Sequence, residues 1–303
     1  AGGERRADLL GQPQGRVHRH SLAPREGAGR VLYTPRPALP GRAPVREAPM
    51  LARVRGFVVL VYCAISMALI FFVSLPVMLL TGSGDMPIWF ARFAWSPSNL
   101  WLTGSRVHLE PLPPLPDGPL IFASNHESAL DIWVLFKVLP RSVRFIAKAE
   151  LFRLPVFGAY MRLGGHVPVD RRNHAQAVQS LRQAGEVVRA GTSLIVFPEG
   201  TRSLDGRVHP FKKGPFVVAM EAGVPVVPVA ISGSGKVTPK RAIAIWPGPI
   251  RVAVGEPVRP ADFPDRTALL TEVRRRMIAL HRRIGGAGGD EAAADATAGM
   301  EGV

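Results

Sequence analysis

The sequence predicts an α/β fold: a mixed sheet flanked by helices, preceded by an N-terminal apolar segment that anchors the chain to a membrane. Three observations carry this. From about Arg106 short apolar runs alternate with stretches of helical period, the signature of a layered, partly parallel sheet. Ahead of them, Gly56 to Leu80 contains no charged residue, 25 positions in all. At about 1.5 Å per residue that run is long enough to cross a hydrocarbon core of about 30 Å. Finally, several residues able to carry chemistry follow directly on the apolar runs, where an α/β sheet places its ligands.

Residues 1–49 form a Pro/Gly/Arg-rich leader without sustained periodicity, expected to be disordered. Residues 1–55 hold eleven Arg against four acidic residues, so about half of the net charge of +15 lies there. The first Met is Met50, and the economical expectation is that translation starts there. The positive charge calls for an acidic partner: nucleic acid, an anionic membrane surface or a phosphorylated substrate. No nucleic-acid-binding signature accompanies it, and aromatics do not interleave with the basic residues, so no nucleic acid is expected. The single cysteine, Cys63, excludes an intrachain disulfide and a Cys-rich metal site.

Residues 50–105 read as a membrane-anchoring helical hairpin. Pro76 interrupts the apolar helix late, and an aromatic-rich second stretch follows, Pro87 to Trp95 and then Leu100-Trp101-Leu102. Trp and Phe beside Arg92 suit a segment at headgroup level. The basic flank with Arg53 and Arg55 keeps the N-terminus in the cytoplasm, and a hairpin returns the chain to that side. The alternative is a single full crossing.

Residues 106–284 form the α/β domain. Its expected strands are Leu120–Ala123, Val143–Ala147, His166–Val169, Ser193–Phe197, Val224–Ile231, Ala242–Trp246 and Ile250–Val254. Ala175–Arg189 predicts an amphipathic helix with Val178, Leu181 and Val188 on one face. A last helix, Arg266–Ile284, buries Leu269, Val273, Met277, Leu280 and Ile284 and exposes Arg274, Arg275, Arg282 and Arg283. The Gly/Ala/acidic tail, 285–303, is expected to be disordered.

The chemistry centres on Asn125-His126-Glu127-Ser128-Ala129-Leu130-Asp131. An imidazole titrating near neutrality plus a carboxylate that fixes its tautomer is the minimal general base. Five helical positions turn through roughly 500°, which puts the pair on different faces. They meet only if His126 sits in the turn before a helix that contains Asp131; otherwise they are a solvated loop pair. Phe197-Pro198-Glu199-Gly200-Thr201-Arg202 ends a strand and offers a hydroxyl and a forked cation for phosphate oxygens; an ordinary loop with a Glu–Arg pair is the alternative. Gly164 to Arg171 is a second strand ending in a cation. Val224, Pro225 and Pro228 lie in an apolar run whose prolines disfavour a central strand; it can line an apolar channel or form a buried edge strand. Lys148 is a further cation for phosphate, or a surface lysine.

In this order the blocks resemble the glycerolipid acyltransferase family, specifically 1-acyl-glycerol-3-phosphate acyltransferases of bacterial type. Asn-His-x-x-x-x-Asp is matched by Asn125, His126 and Asp131; Gly-x-x-x-x-x-Arg by Gly165 and Arg171. Phe-Pro-Glu-Gly-Thr-Arg is matched by Phe197 to Arg202, and the proline block by Val224, Pro225 and Pro228. Val167 stands where the family often has Ile or Phe, and the basic leader is unlike the family. The resemblance implies transfer of an acyl chain from acyl-CoA or acyl carrier protein to the sn-2 hydroxyl of lysophosphatidate, giving phosphatidate. It casts His126 as base and Asp131 as its orienter, without an acyl-enzyme. Backbone N–H groups at the helix start would hold the oxyanion. Arg171, Glu199, Gly200, Thr201, Arg202 and Lys148 would bind the acceptor, and Val224, Pro225 and Pro228 would line the acyl pocket. No cofactor and no metal is implied. The expected setting is the bacterial inner membrane with the domain facing the cytoplasm. The same chemistry on another lysolipid (lyso-ornithine lipid, lysophosphatidylcholine) and a membrane-bound esterase or thioesterase using Ser128 are the alternatives; the missing Gly-x-Ser-x-Gly counts against the last.

Overall fold

The computed structural model describes residues 49–170, 174–240 and 242–290. Helix α1 (Met50–Thr81) spans the whole apolar run and continues through Pro76. At 32 residues it is about 48 Å long. It ends at Gly82, whose N–H closes on Met78 O. A second arm returns beside it: α2 (Asp85–Phe90), a π-helical turn (Ala91–Trp95) and α3 (Ser96–Leu102).

Among the described residues the sheet has seven strands: β1 (Arg106–Leu109), β2 (Ile121–Ser124), β3 (Val143–Lys148), β4 (Val167–Val169), β5 (Ser193–Val196), β6 (Val226–Ser232) and β7 (Pro249–Val254). Their order is β1-β7-β6-β2-β5-β3-β4. β6, β2, β5, β3 and β4 run parallel; β7 pairs antiparallel with β6, and β1 follows β7. The helices of this part are α4 (Leu130–Val138), α5 (Phe157–Leu163), α6 (His174–Arg189), α7 (Gly214–Ala222), the single turn α8 (Ser234–Val237) and α9 (Arg266–Arg283).

Strand periodicity feeds two cores. Leu120 and Phe122 of the β2 segment, with Ile195, Val227 and Val229, face α4 and the helical hairpin. Ile121, Ala123, Leu194, Val196 and Val226 face α6, α7 and α9. Val59 of α1, Ile88 of α2, Ala91 and Leu100 belong to the first core, so the hairpin is an outer layer of the domain.

That layer touches the domain along its length. Ala52 O accepts Ile245 N–H at 3.0 Å. A Cβ on Gly56 would fall 1.7 Å from Ile243 O, so only glycine fits there. Further along, Phe71 packs with Phe152, Tyr160 and Met161. Beyond the turn, Arg144 Nη2 lies 2.7 Å from Asp85 Oδ1. The opposite face of α1 leaves Val54, Phe57, Val58, Ile65, Leu69, Phe72 and Leu80 exposed, and Trp89, Phe93 and Trp101 are exposed on the second arm.

Four expectations are corrected. Ala242–Trp246 is not a strand: Ile245 N–H goes to α1 and Trp246 N–H to Val237 O, so the run buries Ala244 and Ile245 without joining the sheet. The proline-bearing run is a central strand, β6, between β7 and β2. Pro228 is tolerated because its missing N–H falls on the β7 side just beyond that strand's last residue, where Pro228 O still accepts Gly255 N–H at 2.8 Å. Arg274 is buried on α9, where its guanidinium reaches the carbonyls of Val208, His209 and Asp290. Residues 285–290 fold back on the domain: Val208 N–H donates to Gly288 O at 2.8 Å. The leader expectation for residues 1–48 lies outside the described residues.

Candidate active site

β2 delivers Asn125 and His126 to the carboxyl edge of the parallel strands, in the middle of the sheet between β5 and β6. β5 delivers Phe197 to Arg202 to the same edge, and β3 ends there at Lys148. The chain leaves β2 and β5 toward opposite sides of the sheet, the arrangement that opens a crevice above the strand ends.

Asn125 fastens the turn. Its side chain copies a rung of the sheet, with Nδ2–H donating to Ile231 O at 2.8 Å and Oδ1 accepting Ile231 N–H at 2.7 Å. His126 then lies in the turn and Asp131 in the first helical turn of α4. His126 Nδ1 is 2.8 Å from Asp131 Oδ2. The same oxygen accepts the N–H of Glu127 at 2.8 Å and of Ser128 at 2.9 Å. Three donors converge on one fully buried carboxylate oxygen, so the Nδ1 proton points at Asp131 and Nε2 carries the free lone pair. Nε2 has no hydrogen-bond partner among the described residues, and the imidazole is partly exposed. Phe197 stacks on the ring at 3.9 Å between centroids and 18° between planes, which fixes its tilt.

Glu199 is placed behind the histidine. Oε1 accepts His126 N–H at 3.0 Å and Oε2 accepts His209 N–H at 3.1 Å, so the buried carboxyl holds backbone, and neither oxygen meets an arginine among the described residues. Burial pushes it up to about 8, helped by the charges of Asp131 and Glu127 and opposed by the two N–H groups. Gly200 takes φ +78°, a left-handed value that lets its N–H close on Phe197 O. Thr201 and Arg202 follow on the surface of the loop. Lys240 reaches them from beyond α8: Nζ donates to Thr201 Oγ1 at 3.0 Å and Arg202 O at 2.8 Å.

Other expected residues are placed elsewhere. Val224 and Pro225 lie at the amino end of β6, roughly 20 Å of strand from the level of His126, and Val224 is buried against α7 and α9. The structure therefore does not bring them to the imidazole. Pro228 pairs with Ala123 inside the sheet. Lys148 is exposed and pairs with Glu150 at 3.0 Å. Arg171 lies outside the described residues. Ser128 Oγ donates to Thr238 O at 2.9 Å and accepts from Leu130 N–H, which makes it part of the turn. The N–H groups of Glu127, Ser128, Leu130 and Asp131 all have partners in the turn, so those four do not form an oxyanion hole.

Sequence reasoning missed three residues that shape the site: Glu127, His281 and Lys240. His281 had a signal, since a histidine on the apolar stripe Leu269, Val273, Met277 demands a buried partner. Lys240 had none; only folding brings residues 201 and 240 together. Among the described residues no cluster of metal-ligating side chains is present.

The chain is similar to known proteins in sequence and in fold. Residues 105–232 match a family model described as Acyltransferase. The chain is 41% identical over 167 residues to the chloroplastic 1-acyl-sn-glycerol-3-phosphate acyltransferase BAT2 of Brassica napus, covering 55% of this chain and 47% of that protein. It is 34% identical over 184 residues to 1-acyl-sn-glycerol-3-phosphate acyltransferase alpha of Ovis aries, covering 58% and 63%. The chain thus spans about half the length of the first of these relatives. The crystal structure of the 1-acyl-sn-glycerophosphate acyltransferase PlsC from Thermotoga maritima superposes with a TM-score of 0.64 at 27% identity, covering 84% of this chain and 97% of that one. The fold is that acyltransferase fold, and the match to the Acyltransferase family model falls on residues 105–232 of it.

Proposed function

We propose that the protein transfers an acyl chain from a thioester donor, acyl-CoA or acyl carrier protein, to the sn-2 hydroxyl of lysophosphatidate. The observation that carries this reading is the His126–Asp131 pair with Nε2 open, at the strand edge shared with the Glu-Gly-Thr-Arg loop. His126 Nε2 takes the proton of the acceptor hydroxyl as its oxygen attacks the thioester carbonyl. The tetrahedral intermediate then collapses, the C–S bond breaks, and the proton passes from the imidazolium to the departing thiolate. Asp131 holds the tautomer and stabilises the imidazolium. The acceptor alcohol is the nucleophile, so no acyl-enzyme forms; Ser128 is engaged with the turn. Arg171, Thr201 and Arg202 bind the acceptor phosphate, with Lys240 a third cation beside the loop. Glu199 positions His126 through its backbone.

The membrane reading follows from the exposed apolar face of the hairpin. Among the described residues one helix, Met50–Thr81, is long and apolar enough to cross a membrane. Both of its ends lie against the domain, however, at Ile245 and, past the turn, at Arg144. A crossing would drag the domain into the bilayer. We therefore read the hairpin as lying in one leaflet, with the domain on the cytoplasmic side of the bacterial inner membrane.

The deciding experiment measures thiol release from each donor with and without lysophosphatidate. Release that requires the acceptor and drops by roughly 10²- to 10⁴-fold in His126→Ala, with membrane association unchanged, supports the reading. Acceptor-independent release points to an esterase, and near-wild-type activity of the variant refutes the base.

A further inference from the structure

Glu127, the residue next to the proposed base, is buried and has no place in the proton transfer. Its carboxylate is nonetheless fully engaged. Oε2 accepts the N–H groups of Gly233 and Gly235, each at 3.1 Å, at the end of β6. Oε1 lies 3.2 Å from Nε2 of His281, a residue of α9 with no exposed surface. The ring's other nitrogen, Nδ1, accepts Gly288 N–H at 3.1 Å. That bond fixes the tautomer: Nδ1 is the acceptor, so Nε2 carries the hydrogen that Glu127 receives.

We propose that Glu127, latched by His281, is a positioning residue for the His126–Asp131 pair. Glu127 N–H is one of the three donors on Asp131 Oδ2, and Ser128 N–H is the next. Holding the Glu127 side chain between β6 and α9 holds those two peptide groups aimed at the carboxylate. The carboxylate in turn fixes the plane and tautomer of His126. The C-terminal helix, which lies beyond the segment matched to the family, thereby completes the first block of the site. Geometry also excludes a simple amide replacement. Gln at 127 keeps one acceptor for the glycines but turns an NH2 toward His281, whose reversed tautomer would then set Nδ1–H against Gly288 N–H.

The inference rests on the acyl-transfer reading, and its test separates the two. Full-length protein in vesicles is assayed with lysophosphatidate and whichever thioester donor the wild type accepts. In Glu127→Gln and His281→Leu, kcat falls about 10- to 100-fold while KM for donor and acceptor stays within about twofold, because misplacing a reacting group costs turnover and not binding. The double variant loses no more than the worse single variant, as expected of two residues acting as one unit. His281→Gln, which keeps an N–H donor for Glu127, recovers part of the His281→Leu loss. Values of kcat within about twofold of wild type in both single variants overturn the proposal, as do losses that multiply. If Glu127→Gln fails to fold, equal kcat in His281→Gln and His281→Leu overturns it alone. Failure of the underlying reading reads out differently, as a wild type without acceptor-dependent transfer.

Discussion

Asn125 and Ile231 exchange two hydrogen bonds, at 2.8 and 2.7 Å, so a side chain continues the sheet where the backbone of β2 has ended. The exchange holds the peptide that precedes His126 to the neighbouring strand. Asn125→Ala strands both groups of Ile231 in a buried site and is expected to cost about 1–3 kcal/mol per unsatisfied group. Denaturant unfolding checks the stability. A kcat loss larger than any KM change, at temperatures where the variant is folded, checks the displacement of His126.

Stability is expected to peak in weakly acidic solution. Glu199 is raised from 4.5 to about 8, so between those values the folded state binds more protons than the unfolded one, and stability falls as pH rises toward 8. His166 is held down to about 3 by burial, with the Arg144 charge adding to it. From 6.5 down to 3 it is the unfolded state that binds the extra proton, so stability is lost as pH falls. Melting temperature against pH should show both limbs, and Glu199→Gln should flatten the alkaline one. An unchanged alkaline limb in that variant removes Glu199 as its source.

The anchor can be mapped by labelling. In a Cys63→Ala background, Ser83→Cys at the turn between the arms should react with an impermeant maleimide from the side that carries the catalytic domain. Asp85 and Arg144, 2.7 Å apart, place that turn beside the domain. Reaction only from the opposite side would establish a full crossing.

Lys240→Met should raise KM for the phosphorylated acceptor about tenfold and leave KM for the thioester donor unchanged, as loss of one charge-assisted contact predicts. Lys240→Arg should recover part of the effect. Equal changes in both KM values would make Lys240 a support of the loop and nothing more.

Much of the layered sheet was legible because alternating apolar runs have one physical use, to feed a core on each face. β2 and β5 fall where the alternation puts them. β1 was missed because Arg106 to Leu109 is a short, exposed edge strand with little apolar signal. Ala242–Trp246 was misread because its apolar residues bury against α1, a partner that local pattern does not name. Arg274 was placed in solvent because a cation on a helix usually belongs there; three backbone carbonyls converge on it only after α9 docks.

By itself the sequence determined the spacing of His126 and Asp131, the strand–turn–helix that lets them meet, and the apolar helix ahead of them. These are local: each depends on residues a few positions apart and on backbone geometry. The tertiary structure decided what closes around them. Glu199 turned out to hold backbone, Glu127 to meet His281 across 154 positions, and Lys240 to reach Thr201 across 39. Such pairings depend on which strand ends share an edge of the sheet, and packing of the two cores, not local periodicity, sets that order.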